Sequence, residues 1–295
     1  MNIIRDGVCG YVMGGLGNQI FILAAAWEQA RRLDVPLYLD ASHFSVGGTF
    51  RYGLDAIDHP GRLLGPKESP WRSVRINRER VLPFPRRPWG HIFLERDGDR
   101  YQPAIEQITS GTTLVGYFQS PRYFPNVRDQ LIASMLDTAD TEAEASRLRE
   151  YDRTPAISLH LRRGDYLAVS ADRQFIASVA YAVRSVKLLR AMGIDLPVRV
   201  FSDSVDLVKD ELRGVEGDFD FVEDDGALGT WATLKAMSAG HAMIMSNSSF
   251  SWWAAELMHR RSGGRAPVIA PRPWTQTGTA KSDLLHADWI TLDAR

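Results

Sequence analysis

The chain has 295 residues, 44% of them hydrophobic, enough to bury the core of one large domain or two medium ones. Its 35 lysines and arginines balance 36 aspartates and glutamates, which excludes a general pull toward nucleic acid or anionic membrane, so any anion site must be local. The single cysteine, Cys9, excludes an internal disulfide, favours a reducing compartment and reads as a buried core thiol.

Arg5 and Asp6 interrupt the first short apolar region, which argues against a signal peptide, and no apolar run approaches the ~20 residues of a membrane helix. A globular cytoplasmic protein is expected. In chain order, residues 8–13 read as a strand, a glycine-rich turn follows, and 18–33 reads as a helix with Ile20, Phe21, Ala24, Trp27 and Leu33 at apolar positions. A strand at 35–39 comes next. Residues 43–102 are rich in Pro, Arg and Gly without clear periodicity, and "VLPFPRRPWG" suits neither a helix nor a central strand, so an irregular insertion is expected there. A strand at 113–118 resumes the pattern, with Ser120 and Pro121 placed as N-cap and first helical residue. The polar stretch "DTADTEAEASRLREYDRT", helical in its middle, divides the chain into domains 1–150 and 151–295. Beyond it, strands are expected at 156–161, 198–202, 219–222, 242–245 and 267–270, most of them separated by helices. Such alternation implies parallel sheets, and two such halves imply an α/β fold of two Rossmann-like domains facing a cleft.

Four polar clusters each follow an expected strand: "GGLGNQ" from Gly14, "HLRRGD" from His160, "SDS" from Ser202 and "SNSSFSWW" from Ser246. Ligands of open α/β sheets bind beyond the carboxyl ends of the strands, so all four are site candidates. Gly14, Gly15 and Gly17 resemble a phosphate loop, but Ile20 stands where the dinucleotide fingerprint needs glycine and the phosphate-loop lysine is missing. Arg162 and Arg163 could be ordinary surface ion-pair partners. On a strand, however, neighbours point to opposite faces, so one would reach a ligand and the other brace the loop; the planar guanidinium fork matches a phosphate and makes either a pyrophosphate clamp. Ser248 or Ser249 can cap a helix whose free N–H groups face an anion, while Trp252 and Trp253 read as core. His160 shares a strand face with Arg162. Asp203 either holds a ribose hydroxyl or caps the helix beginning near Ser204.

"GGLGNQIF", "GYFQSPRYF", "HLRRGDY", "FSDS", "NSSFSWW" and "VIAPRPW", in this order, resemble the bacterial α-1,2-fucosyltransferases of glycosyltransferase family 11 along nearly the whole chain. The resemblance implies a GT-B fold, GDP-L-fucose as donor, a galactoside-containing glycan as acceptor, inversion at the anomeric carbon, and neither metal nor other cofactor. It implies that Arg162 is the main pyrophosphate ligand, that Asn247, Ser248, Ser249 and Phe250 complete a donor site with His160, Arg163, Ser202 and Asp203, and that Gly15, Gly17, Asn18 and Gln19 form the acceptor-side loop. Lipid-linked glycans at the inner membrane face would make the association with membrane peripheral. Thr233 replaces the acidic residue common four positions before Met237, Glu256 stands where an apolar residue is usual, and the paired tyrosines usual after Tyr166 are missing. These departures leave acceptor and donor sugar open.

Breaking a glycosyl–phosphate bond leaves negative charge on the nucleotide, which Arg162 and the Ser248 helix start would stabilise. Asp165 is the candidate general base, with His160 the alternative. Metal-dependent transferases carry an Asp-x-Asp pair; Asp97 with Asp99 and Asp218 with Asp220 have that spacing but read as a turn and a strand edge. The rival classes are a transferase of another nucleotide sugar and a non-catalytic nucleotide- or glycan-binding module.

Overall fold

The computed structural model describes residues 6–46, 50–65, 68, 91–96, 98, 100–164, 177–223, 226, 228–274 and 283–295. The chain forms two compact units, Met1–Met135 and Leu136–Arg295.

The first unit is built on a five-stranded parallel sheet of order β3-β2-β1-β5-β4. Its strands are β1 (Val8–Tyr11), β2 (Leu37–Asp40), β3 (Arg62–Leu63), β4 (His91–Leu94) and β5 (Thr112–Val115). Every residue of β1 is buried, as suits a central strand covered on both faces. Helix α1 (Leu16–Leu33) follows β1 and ends at Asp34, whose left-handed φ of 53° stops it. The buried Glu28 carboxylate reaches from α1 to accept from the backbone N–H of Asn126 at 2.9 Å and of Val127 at 3.1 Å. It thereby holds the approach to α2 (Arg128–Leu136). The expected irregular insertion at 43–102 is corrected: it supplies both edge strands, β3 and β4. They are two and four residues long, β3 exposed and β4 mostly half-buried, too short to show a hydrophobic period. "VLPFPRRPWG" lies outside the described residues.

The second unit opens with α3 (Glu142–Arg153), the helix expected within the polar stretch; the expected domain boundary at 150 falls inside it. Thr141 and Glu144 form a capping box, and Glu144 also accepts from the Gly229 N–H at 2.8 Å, at the start of α6 (Thr230–Ser238). The buried Lys235 of α6 donates to the Thr138 carbonyl at 2.9 Å and pairs with Asp140 at 2.5 Å, binding this stretch to the unit.

The second sheet is also all parallel, of order β11-β10-β9-β6-β7-β8. Its strands are β6 (Ile157–His160), β7 (Val198–Phe201), β8 (Phe219–Phe221), β9 (Ala242–Ile244), β10 (Val268–Arg272) and β11 (Ile290–Asp293). Counted from β6, this is the 3-2-1-4-5-6 order of dinucleotide-binding folds, and the order reverses between β6 and β9. Helices α4 (Val179–Ala191), α5 (Val205–Glu211), α6 and α7 (Ser249–Ser262) complete it among the described residues. Ile157, Leu159 and Leu161 pack with Val198, Val200 and Leu189. Trp252 and Trp253 are fully buried core, as expected. Glu256 is buried with its carboxylate against the His286 ring, which stacks on Trp252 at 5.6 Å. None of the described helices is long and apolar enough to cross a membrane.

The Tyr181 hydroxyl, at the start of α4, lies 2.9 Å from the Met245 carbonyl and 3.1 Å from that of Ile269, tying the ends of β9 and β10 together. Tyr181→Phe is expected to lower the unfolding free energy in urea by ~1–2 kcal/mol, the range for a buried acceptor that loses its donor. Unchanged stability would show that these carbonyls do not depend on the hydroxyl.

Candidate functional site

In the second unit the chain leaves β6 at the reversal point, where strand alternation sets His160 and Arg162 apart from Leu161 and Arg163. Arg163 is the inward cation. Its side chain is 4% exposed, against 22% for Arg162. Arg163 Nε lies 3.1 and 2.8 Å from the two Glu211 oxygens, and its Nη1 donates to the carbonyls of Arg162 and Ala177, each at 3.1 Å. Asp203, just past β7, accepts on Oδ1 from the backbone N–H of Arg163 at 2.7 Å and of Gly164 at 3.0 Å. Its Oδ2 lies 3.8 Å from Arg162 Nε. The N-cap of α5 is Ser204, so Asp203 spends one oxygen on the β6 loop and none on the cap. A Cβ at Gly164 would sit 2.8 Å from Asp203 Oδ2, so a side chain there would press on that carboxylate. Ser202 Oγ accepts from the Ser204 N–H at 3.0 Å.

The β9 end meets this loop from the other side. His160 Nδ1 lies 2.9 Å from Ser246 Oγ. Burial first, and the Arg162 charge second, lower the His160 pKa to about 3, against the opposing pull of Asp203. The ring is therefore neutral at working pH. Ser248 caps α7, its Oγ accepting from the Phe250 N–H at 3.3 Å, and Ser251 Oγ donates back to the carbonyls of Ser246 and Ser248. Asn247 reaches the Ala177 N–H and the Trp274 carbonyl, each at 3.4 Å. Ser249 opens the helix and the Phe250 ring lies 6.3 Å from that of His160. The fourteen-residue α7 begins just past the Ser246 that meets His160, and its N-terminal N–H groups, on the same loop cluster as the partly open Arg162, suit an anion. Asp165 lies outside the described residues, as do Tyr166, Asp97 and Asp99.

The first unit carries the other expected loop. Gly14 adopts φ 76° and Gly15 caps α1 without a side-chain bond. Gln19 is wholly buried: its Nε2 donates to the carbonyls of Gly14 at 2.9 Å and Arg51 at 2.8 Å, while Oε1 accepts from the Gly53 N–H at 3.0 Å. Gly17 is buried within α1, whereas Gly15 and Asn18 are half-exposed. Asn18 Oδ1 accepts from Gln119 Nε2 at 2.7 Å. Gln119 follows a strained residue: Phe118, fully buried, has φ 53°, a conformation that costs a bulky side chain ~1–3 kcal/mol. Glu95 Oε2 holds it there, accepting from the N–H of Tyr117 at 2.7 Å and of Phe118 at 2.9 Å. Sequence reasoning named neither Gln119 nor Glu95 as site residues, although "GYFQS" follows the end of β5 and carried that signal.

The family model for glycosyl transferase family 11 matches residues 109–293. The chain belongs to this family. Among curated proteins, this family 11 member is 26% identical to the alpha-1,2-colitosyltransferase of Escherichia coli, over 97% of this chain and 99% of that one. It is also 26% identical to the O-antigen biosynthesis glycosyltransferase WbnK of Escherichia coli, over 95% and 98% of the two chains. With the galactoside alpha-(1,2)-fucosyltransferase 1 of Ateles belzebuth it shares 25% identity, over 88% of this chain and 66% of the other. Each unit is a parallel sheet with helices, and the second has the Rossmann strand order.

Two outcomes are expected of this geometry. Gly164→Ala should disturb the Asp203 contact and lower nucleotide affinity roughly tenfold, the scale of one displaced charge-assisted hydrogen bond; wild-type titration curves would refute the crowding. His160 takes up its proton in the unfolded chain near pH 6.5 and in the folded protein only near pH 3, so its contribution declines as pH falls through that window. Wild-type stability should there fall by up to ~1.4 kcal/mol per pH unit more steeply than that of His160→Gln. Parallel pH–stability curves would refute the buried neutral ring.

Proposed function

We propose that this family 11 enzyme transfers L-fucose from GDP-L-fucose to the 2-hydroxyl of a terminal β-galactoside in a glycan, with inversion and without a metal. The observation that carries the reading is that, at the β6/β9 reversal point, His160, two residues before the partly open Arg162, bonds Ser246, two residues before the capping Ser248 of α7. The names of the aligned relatives support the transferred bond: one acts on a galactoside at position 2, and two are described as alpha-1,2 transferases. In the reaction the bond from the sugar's anomeric carbon to the diphosphate breaks, the acceptor oxygen bonds that carbon from the opposite face, and the acceptor proton passes to a base. The departing pair of electrons settles on the diphosphate, where Arg162 and the α7 N–H groups stabilise it.

Asp165 is the proposed base. His160 is a poorer one, because a ring held neutral to about pH 3 accepts a proton reluctantly and its Nδ1 already faces Ser246. Arg163 braces the loop, and Asn18 with Gly15 is proposed to face the acceptor. The proposed setting is the cytoplasm, with lipid-linked glycans as acceptors at the inner membrane face. The full-length alignment with a colitosyltransferase favours a second reading, transfer of another nucleotide-linked sugar at the same site.

Incubation of the enzyme with nucleotide sugars and a panel of β-galactosides, with product linkage read by NMR, separates these readings. An α-1,2-fucosyl product formed in excess EDTA supports the first; turnover only with another donor, or only after added Mn²⁺ or Mg²⁺, rejects it. Arg162→Lys keeps the charge and loses the fork, so kcat/KM should fall at least ~100-fold, as when a preorganised transition-state donor is deleted. Near-wild-type turnover by that folded variant would remove Arg162 from the donor site.

A further inference from the structure

We infer that Glu211 is a positioning residue for donor binding, acting through Arg163 on Arg162. The inference rests on the reading that Arg162 holds the donor diphosphate. Glu211 is the last residue of α5, and both its oxygens face the Arg163 Nε, at 3.1 and 2.8 Å. That guanidinium is 4% exposed, so water cannot substitute for the carboxylate, while Glu211 itself is 30% exposed. Nη1 of the same group donates to the Arg162 carbonyl, and the Arg163 N–H donates to Asp203. Both polar atoms of the peptide group joining Arg162 to Arg163 are therefore fixed, one by the guanidinium that Glu211 orients and the other by a carboxylate. The guanidinium also donates to the Ala177 carbonyl, so the same charge holds the chain where it approaches α4.

A forked contact from Arg162 to a diphosphate tolerates little displacement, since misplacement by ~1 Å weakens such contacts severely. Removal of the Glu211 charge would leave Arg163 buried with an incomplete partner set. Its guanidinium would turn toward solvent and release the Arg162 carbonyl, and the Arg162 side chain would lose its aim. Glu211→Gln keeps the length of the side chain but replaces one acceptor by an N–H₂ group facing a cation.

The test is calorimetric titration of the full chain with GDP, for wild type, Glu211→Gln, Arg162→Ala and the double variant. Glu211→Gln is expected to weaken GDP binding on the order of tenfold, a coupling typical of residues in one ion-pair network, and to add nothing in the Arg162→Ala background. A merely structural Glu211 would lower affinity equally in both backgrounds, and that additivity would overturn the inference while sparing the diphosphate reading. Wild-type affinity in folded Glu211→Gln would do the same. Wild-type affinity in Arg162→Ala would overturn the diphosphate reading, and the inference with it. If Glu211→Gln does not fold, Glu211→Asp decides by the same cycle: it keeps the charge with a shorter reach, and its smaller loss of affinity should likewise vanish without Arg162.

Discussion

Withdrawing the Arg163 guanidinium from water carries an effective desolvation cost of several kcal/mol, and much of the second unit's site is arranged around offsetting it. Glu211 supplies the countercharge from α5, while Ala177 and the loop's own Arg162 supply carbonyls. One buried cation thereby joins the β6 loop, the end of α5 and the approach to α4. Such a pair contributes little net stability beside a well-packed apolar alternative. What it provides is a defined path for the backbone between His160 and Gly164, and that path decides where the neighbouring arginine can reach.

The charges nearest the reversal point divide the labour. Arg162 keeps part of its surface open, Arg163 is consumed by structure, and His160 is held neutral, so the local positive charge resides on one side chain and one helix end. Asp203 moderates that charge and also fastens two N–H groups of the loop. A carboxylate beside the proposed anion site is tolerable because one of its oxygens is already engaged by the backbone.

Much of this was readable in advance, for physical reasons. Strands covered on both faces, such as β1 and β6, are legible because every position is buried, although β6 alternates Ile157 and Leu159 with the buried polar Ser158 and His160. Edge strands β3 and β4 escape notice because half-exposed segments of two to four residues carry no pattern, and β11 escapes for the same reason. The "HLRRGD" cluster announced a loop with one outward and one inward arginine. Which is which depends on Glu211, 48 residues further along, and nothing in the spelling of α5 marks that glutamate. Gln19 illustrates the converse: a polar residue in a promising loop whose amide is tied to backbone of residues 14, 51 and 53. Glu256 breaks the apolar pattern of its helix and lies against His286, 30 residues further along, a neighbour that the helix sequence does not show.

The central position of β1 also has a temporal consequence. Val8 pairs with Leu37 on one side and with Thr112 on the other, so the second partner leaves the ribosome long after the first. Between those moments one edge of this fully buried strand has its N–H and C=O groups open to pairing with another chain. Parallel pairing across so long a loop is slow, since closure entropy precedes the reward of contact. The longer that interval lasts, the longer this edge can meet another chain before its native partner arrives.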